Sequence, residues 1–180
     1  MFLIKSLYRR CQRIFLSANK LAKVQGVKLG KNCILNKEIS FGSEPYLITL
    51  GDNFYCSTGI KFITHDGAVN VLRNIYPELV NADLFGRITI GNNVFLGCDV
   101  IVLPNTIIGD NVIVGAGSIV KGELESGYVY AGVPVKRLMS LDDYKNKIAK
   151  RVLFTKHLSY KDKKNEINKR SDFHDKQILS

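Results

Sequence analysis

The stretch ITIGNNVFLGCDVIVLPNTIIGDNVIVGAGSIVK, residues 88–121, decides the fold of this 180-residue chain. An aliphatic residue recurs at every sixth position of the stretch, and a glycine usually follows it. The recurring aliphatic residues are Ile90, Leu96, Val102, Ile108, Val114 and Val120. A six-residue period is typical of a parallel β-helix, in which three hexapeptides build one coil of short strands and turns.

Residues that stand one coil apart in such a fold lie on neighbouring strands, about 4.8 Å from each other. The predicted stacked pairs, each separated by three hexapeptides, are Ile90–Ile108, Leu96–Val114, Val102–Val120, Gly91–Gly109, Gly97–Gly115 and Asn93–Asn111. A meander with a chance period is the alternative, but residues 90–107 and 108–125 share seven of 18 positions. We therefore predict an all-β fold, a parallel β-helix filled by its aliphatic column.

The repeat is predicted to span residues 27–135 with two interruptions. Residues 43–45 form a short insertion at a corner. Residues 64–87 form an excursion that leaves the prism and returns, because Leu50 and Ile90 both fit the repeat but are not separated by a whole number of hexapeptides. Loops of this length inside a compact repeat are usually functional.

Helices are predicted on both sides of the repeat. Residues 1–26 carry apolar residues at three- and four-residue steps, which predicts an amphipathic helix packed on the body or on a neighbouring subunit. A helix lying on a membrane surface is the alternative, because basic residues stand beside phenylalanine and leucine. Residues 136–158 are predicted to form a C-terminal helix with Ser140 as its N-cap. Residues 159–180 form a polar tail whose composition is typical of disorder.

The net charge of +10 is unevenly distributed. The body, residues 32–135, contains five lysines and arginines but ten acidic residues, so the basic charge lies at the two ends. An acidic body argues against nucleic-acid binding. The four cysteines form no CxxC motif, which indicates reduced residues in a cytoplasmic protein. No apolar run reaches the length of a membrane span, so any membrane contact is expected to be peripheral, at the inner surface.

Four features together resemble the hexapeptide-repeat acyltransferases, specifically the maltose, galactoside and xenobiotic acetyltransferase type. They are the hexapeptides, the sequence THDG at 64–67, IGDNVIVGAGSIV at 108–120 and AGVPVK at 131–136. The resemblance implies a left-handed β-helix, a homotrimer with active sites between subunits, and acetyl-CoA as co-substrate. It also implies that the loop histidine, His65, is the general base. Imidazole suits that role because a hydroxyl is a poor nucleophile until a base accepts its proton.

The same resemblance assigns further site residues. It places contacts to acetyl-CoA at Gly97, Cys98, Ala116, Lys121, Gly122, Lys136 and Arg137. A further basic position of the family falls on Met139, which removes one expected phosphate contact. A corner glycine such as Gly97 would let a backbone N–H approach the developing oxyanion. Cys98 is interpreted as a small corner residue and not as a nucleophile.

Contacts to the acceptor are predicted at three positions. Asn36 falls near a substrate-binding asparagine of the family. Asp66 is either a substrate ligand or an ordinary turn residue, and Arg73 either contacts the acceptor or lies on the solvated surface. For His65 itself, a solvated loop residue is the alternative to a catalytic base.

These features predict an acetyl-CoA-dependent O-acetyltransferase that acts on a sugar hydroxyl, in capsule, lipopolysaccharide or exopolysaccharide assembly. The acceptor would be a small molecule or a glycan. Acetylation of xenobiotics or of amino sugars at nitrogen is one alternative, and a non-catalytic β-helix subunit is another. A zinc carbonic anhydrase of the same fold is disfavoured because it needs three histidines per metal, whereas His65 is the only histidine of the body. No metal is therefore expected.

Overall fold

A computed structural model describes residues 16–169 of the chain, and a parallel β-helix forms its body. The strands are β1 Lys28–Leu29, β2 Ile48–Leu50, β3 Tyr55–Cys56, β4 Lys61–Phe62, β5 Ile88–Ile90, β6 Phe95–Leu96, β7 Ile101–Val102, β8 Thr106–Ile108, β9 Ile113–Val114, β10 Ile119–Val120, β11 Glu123–Leu124, β12 Tyr128–Ala131 and β13 Lys136–Ser140. The helices are α1 Ala18–Gln25, α2 Val69–Ile75, α3 Leu141–Ile148 and α4 Tyr160–Lys169, with 3₁₀ turns at Pro45–Leu47 and Pro77–Leu79.

The strands form three sheets, one on each face of the prism. The first sheet has the order β1-β2-β5-β8-β11, the second β3-β6-β9-β12-β13 and the third β4-β7-β10. All neighbours are parallel except β12 and β13, which are antiparallel. The first corner, which follows the first sheet, contains residues 51–53, 91–93 and 109–111. The second corner, which follows the second sheet, contains residues 36–38, 57–59, 97–99 and 115–117. The third corner, which follows the third sheet, contains residues 43–44, 64–65, 104–105 and 121–122.

The predicted stacking of the regular coils is confirmed. Strand register pairs Ile90 with Ile108, Leu96 with Val114 and Val102 with Val120. All six side chains are at most 1% exposed, so the aliphatic column forms the core of the prism. Burial of this apolar column is the main term that stabilises the coils.

Both predicted interruptions are also confirmed by the register. Leu29 lies opposite Leu50, and Leu50 lies opposite Ile90, so each of these coils is longer than three hexapeptides. The repeat continues beyond Lys121, because Leu124 pairs with Ile108. That last coil is shorter than three hexapeptides, which explains why the period is lost from the sequence there. The chain leaves the prism after β12, next to a cis peptide bond between Val133 and Pro134.

A ladder of asparagines forms the first corner. Asn53, Asn93 and Asn111 all have φ near +55°, a left-handed conformation that asparagine tolerates better than most residues. The side-chain nitrogen of Asn53 donates to Asn93 at 2.8 Å, and that of Asn93 donates to Asn111 at 2.9 Å. The predicted stacking of Asn93 on Asn111 is thus confirmed, and the ladder satisfies the amides of successive coils.

The N-terminal helix is shorter than predicted. Helix α1 begins at Ala18, because Ser17 is extended (φ −64°, ψ 155°) and its hydroxyl accepts a hydrogen bond from the Lys20 N–H at 3.4 Å. A continuous helix over residues 1–26 is therefore wrong at Ser17, which is the N-cap of helix α1. The predicted helical residues 2–15 lie outside the described part of the chain.

The prediction for the C-terminal segment is wrong in two respects. Residues 136–140 form β13, because the free edge of β12 offers backbone hydrogen bonds that a helix would leave unused. Helix α3 begins after Ser140, whose hydroxyl accepts from the Asp143 N–H at 3.0 Å as predicted, but it ends at Ile148 instead of 158.

The predicted polar tail also contains helix α4, Tyr160–Lys169. The Ser159 hydroxyl accepts from the Asp162 N–H at 3.2 Å and caps this helix. Lysine and glutamate are good helix formers, so a polar composition alone did not predict disorder correctly here. Residues 170–180 lie outside the described part.

Candidate functional site

The two interruptions of the repeat meet at the third corner. Glu44 belongs to the first interruption, and His65 lies near the start of the second, one coil later in the chain. The Nδ1 atom of His65 lies 3.2 Å from Oε2 of Glu44 and 3.0 Å from Oγ of Ser43. The fold therefore brings a carboxylate and an imidazole together from the two irregular segments.

The two limbs of the excursion are hydrogen-bonded to each other where His65 stands. His65 forms an antiparallel bridge with Phe85. The N–H of Asp66 donates to the Leu84 carbonyl at 2.8 Å, and the N–H of Gly86 donates to the Thr64 carbonyl at 2.8 Å. This pairing fixes the backbone on both sides of His65, although its side chain is 44% exposed.

The Glu44 carboxylate is tightly held. Oε2 accepts hydrogen bonds from the hydroxyl of Thr64 at 2.9 Å and from that of Ser43 at 3.0 Å, in addition to its contact with His65. Burial would raise the pKa of Glu44, but the hydrogen bonds from Thr64, Ser43 and His65 outweigh burial and lower it. Glu44 is therefore ionised near neutral pH.

An open groove of about 480 Å³ lies beside His65. Its lining contains both apolar and polar residues. The lining residues are Ile63, His65, Asp66, Gly67, Leu84, Phe85, Leu103, Pro104, Asn105 and Lys121. A groove of this character suits a ligand that has both apolar surface and hydrogen-bonding groups.

Three predicted site residues, His65, Asp66 and Lys121, line this groove together. Gly122 follows at the same corner with φ +84°, so the turn itself requires glycine. Asp66 Oδ1 accepts from the N–H of Ala68 at 2.9 Å. The interpretation of Asp66 as a turn residue is thus confirmed for one carboxylate oxygen, while its place in the groove keeps the role of ligand as a prediction.

Another set of predicted residues, Asn36, Gly97, Cys98 and Ala116, lies at the second corner. Within one chain, the third sheet lies between this corner and the third corner, which contains His65. Asn36 is exposed, and its side-chain oxygen accepts from the Glu38 N–H at 3.0 Å. Cys98 is partly buried, with Sγ 2.9 Å from the Ser57 hydroxyl oxygen. One chain therefore does not bring the predicted base and these predicted cofactor contacts together.

That Gly97 lets a backbone N–H approach the developing oxyanion stays a prediction, but the N–H of Gly97 itself is not free for that role. Its N–H already donates to the Val114 carbonyl at 2.8 Å in the strand ladder. A Cβ at this position would lie 2.5 Å from the Ala116 nitrogen, so coil stacking explains the glycine. The N–H of Cys98, one residue on, makes no hydrogen bond within residues 16–169 and remains available.

Arg73 makes two contacts within the excursion. Its Nε donates to the Ala82 carbonyl at 2.6 Å, and its guanidinium pairs with Asp83. These contacts tie helix α2 to the returning limb of the excursion. A contact between Arg73 and the acceptor stays a prediction, because these two contacts do not use every N–H of the guanidinium.

The last two predicted cofactor residues lie on β13. Lys136 is exposed, and the Arg137 guanidinium lies 4.6 Å from the centre of the Tyr128 ring. Arg137 also donates to the Glu125 carboxylate at 3.0 Å, an exposed pair that contributes little to stability. A role of either cation in phosphate binding stays a prediction.

Glu44 and Thr64 are site residues that sequence reasoning missed. The sequence marks residues 43–45 only as an irregular corner, although Glu44 and His65 stand one coil apart and therefore share that corner.

Cys33 and Cys56 are buried, and burial raises the pKa of both thiols, in keeping with inert core residues. Within residues 16–169 there is no cluster of three potential metal ligands, and no helix there has the length and apolarity needed to cross a bilayer.

Comparison with known proteins identifies similar sequences. The family model described as bacterial transferase hexapeptide (six repeats) matches residues 87–122. Protein CapG of Staphylococcus aureus is 43% identical over 163 residues, which cover 89% of this chain and 92% of CapG.

Two O-acetyltransferases are similar over shorter regions. The galactoside O-acetyltransferase of Escherichia coli K12 is 32% identical over 65% of this chain, which spans 55% of that protein. The putative lipopolysaccharide biosynthesis O-acetyl transferase WbbJ of the same organism is 46% identical over 35% of this chain, or 32% of WbbJ. The chain thus spans about half of one relative and a third of the other.

A solved structure supports the fold. The hexapeptide-repeat acetyltransferase VCA0836 of Vibrio cholerae, in complex with acetyl-CoA, matches with a TM-score of 0.58. The match covers 74% of this chain and 84% of VCA0836 at 16% identity, and it supports the fold.

Proposed function

The chain belongs to the hexapeptide-repeat acetyltransferases, and from this premise we propose that it transfers an acetyl group from acetyl-CoA to a sugar hydroxyl, with His65 as general base. The observation that carries the proposal is the imidazole of His65, which faces an open groove while Glu44 holds Nδ1. The names of two relatives, a galactoside O-acetyltransferase and a putative lipopolysaccharide O-acetyltransferase, support a sugar acceptor and a role in polysaccharide assembly.

The proposed chemistry is direct transfer. His65 Nε2 accepts the proton of the acceptor hydroxyl as the oxygen attacks the thioester carbonyl. Oxygen forms a bond to the carbonyl carbon, the carbon–sulfur bond breaks, and the thiol leaves with the proton that His65 received. A backbone N–H near the carbonyl oxygen stabilises the negative charge that develops there. The N–H of Cys98 is our candidate, because it has no partner in the described protein.

Acetyl-CoA supplies the activated acetyl group as a thioester, and two parts of the chain fit such a ligand. At the second corner, the small residue Ala116 and the free N–H of Cys98 leave room for an extended amide chain. At the third corner, Lys121 offers a cation in the groove that contains His65. The acetyl-CoA complex of VCA0836 supports the choice of this co-substrate.

We further propose a homotrimer of left-handed β-helices in which the third corner of one copy faces the second corner of the next. The separation of the two groups of site residues within one chain supports this arrangement. The excursion also exposes apolar side chains that a neighbouring copy would cover. These exposed residues are Val71, Leu72, Ile75, Tyr76, Val80, Leu84 and Phe85.

Mixing two inactive variants tests the shared site. His65→Ala removes the base from the third corner, and Ala116→Arg obstructs the second corner. If sites form between copies, refolding the two variants together restores on the order of a quarter of the wild-type activity, because one site in four combines two intact corners. If each site lies within one chain, the mixture stays inactive.

The activity itself is tested with His65→Ala and His157→Ala as its matched control. Release of CoA thiol from acetyl-CoA would be followed across sugars that carry hydroxyl or amino groups. We expect His65→Ala to lose about 10²- to 10⁴-fold in kcat with an unchanged fold, and His157→Ala to retain activity. Equal turnover of wild type and His65→Ala would contradict the proposal, and turnover of amino sugars alone would assign transfer to nitrogen instead of oxygen.

A further inference from the structure

We propose that Glu44 is a positioning residue that holds His65 in the tautomer able to accept a proton at Nε2, and that Thr64 and Ser43 orient its carboxylate. This inference rests on the proposed function of His65 as base. It concerns a residue from the first interruption of the repeat, whereas the base comes from the second.

Hydrogen-bond chemistry determines the direction of the contact. An ionised carboxylate can only accept hydrogen bonds, so the contact of 3.2 Å between Oε2 of Glu44 and Nδ1 of His65 requires hydrogen on Nδ1. The Ser43 hydroxyl donates its proton to the same Oε2, which leaves its oxygen free to accept from Nδ1 as well. In the neutral imidazole, Nε2 then carries the lone pair.

Glu44 is held at both its side chain and its backbone. Thr64, whose hydroxyl donates to Oε2, is completely buried, and the side chain of Glu44 is only 15% exposed. The 3₁₀ turn Pro45–Leu47 begins directly after Glu44, and the N–H of Leu47 donates to the Glu44 carbonyl at 3.0 Å. A side chain fixed in this way can orient the imidazole without touching the substrate.

Glutamine is the informative replacement because it keeps the shape of glutamate and removes the charge. Its amide can rotate and present NH₂ to Nδ1, which would favour the tautomer with hydrogen on Nε2 and block that atom as a base. Alanine removes the partner altogether and leaves a space that formate can enter. Glu123→Gln is the matched control, because Glu123 is exposed on β11 and has no polar side-chain contact in the described protein.

The experiment combines a spectroscopic and a kinetic measurement on the full chain. Nitrogen-15 NMR of histidine-labelled protein reports which imidazole nitrogen carries hydrogen, and the spectrum of His65→Ala identifies the His65 signals among the three histidines. We expect hydrogen on Nδ1 in the wild type and in Glu123→Gln, and a mixture of tautomers in Glu44→Gln. We expect kcat of Glu44→Gln to fall about 10²-fold, with KM for acetyl-CoA changed less than about 2-fold, and formate to restore part of the activity of Glu44→Ala.

The readouts separate this inference from the proposed function. Unchanged His65 tautomers in Glu44→Gln, or an unchanged kcat despite altered tautomers, overturn the positioning role. Circular dichroism and the thermal midpoint show whether each variant is folded, and formate rescue of Glu44→Ala excludes a purely structural loss. A third outcome is that the wild type carries hydrogen on Nδ1, Glu44→Gln loses this preference, and the wild type transfers no acetyl group. That outcome overturns the proposed function and leaves the contact between Glu44 and His65 in place.

Discussion

The regular coils of residues 88–121 differ from the two interruptions, at 43–45 and 64–87, in how far their polar groups find partners within the repeat. In the regular coils, corner backbone groups such as the Gly97 N–H pair with the next coil, although the N–H of Cys98 does not, and the aliphatic column is at most 1% exposed. The interruptions instead expose polar side chains, among them His65, beside an open groove. The repeat satisfies many of its own backbone groups, so we expect the proton transfer to take place where the chain departs from the period.

Gly97 and His65 illustrate the difference. The sequence assigns Gly97 to the reaction. Within the coil, its N–H is hydrogen-bonded in the strand ladder, and the next coil leaves no room for a Cβ. His65 lies outside the period, and its imidazole is held by Glu44 from the other interruption. The comparison predicts that substitutions in the buried column of the coils act on stability, whereas substitutions at the meeting point of the interruptions act on turnover.

The largest loss of stability is expected in the core of the coils. Leu96→Ala removes a fully buried side chain and should lower the free energy of unfolding by about 2–5 kcal/mol. Asn74→Ala in the excursion, where the side chain is exposed and polar, should change it by less than about 1 kcal/mol. Urea denaturation at one fixed protein concentration measures both variants. Similar losses in the two variants would contradict the division between coils and interruptions.

Two glycines give a sharper comparison with a smaller expected effect. A Cβ on Gly51 would lie 2.5 Å from the Gly91 carbonyl oxygen in the next coil, whereas a Cβ on Gly67 would meet nothing within 4 Å. Gly51→Ala should therefore destabilise the protein by roughly 1–3 kcal/mol, and Gly67→Ala should be close to neutral. Thermal unfolding followed by circular dichroism compares them, and equal midpoints would show that coil stacking is looser than described.

The smallest expected effect is the pH dependence of stability at Glu44. Its pKa is lowered in the folded protein, so its contribution is fully present above the ordinary glutamate value of about 4.3 and is lost as pH falls through the folded value. The stability difference between wild type and Glu44→Gln should therefore shrink as pH is lowered from about 6 to about 3. Urea titrations across this range measure the difference. A difference that grows on acidification would mean that folding raises the pKa.

The sequence predicted the parts of the fold that depend on its period. Ile90, Leu96 and Val102 identified the core and the register, because a buried column tolerates only aliphatic residues at every sixth position. The conversion of 136–140 into a strand was not predictable from local pattern, since it depends on the free edge of β12. At the site, the period could indicate that His65 lies outside the regular repeat. It could not indicate that Glu44 contacts His65. That contact depends on the insertion at 43–45, which makes one coil longer than three hexapeptides.

The central claim is that the two interruptions form one functional unit, and a double-mutant cycle of Glu44→Gln and His65→Ala tests it most directly. The cycle compares kcat for the wild type, both single variants and the double variant under identical conditions. Because Glu44 is proposed to act only through His65, Glu44→Gln should lower kcat about 10²-fold when His65 is present and cause no further loss when it is absent. Losses that multiply in the double variant would show that the two residues act independently, which would contradict the account.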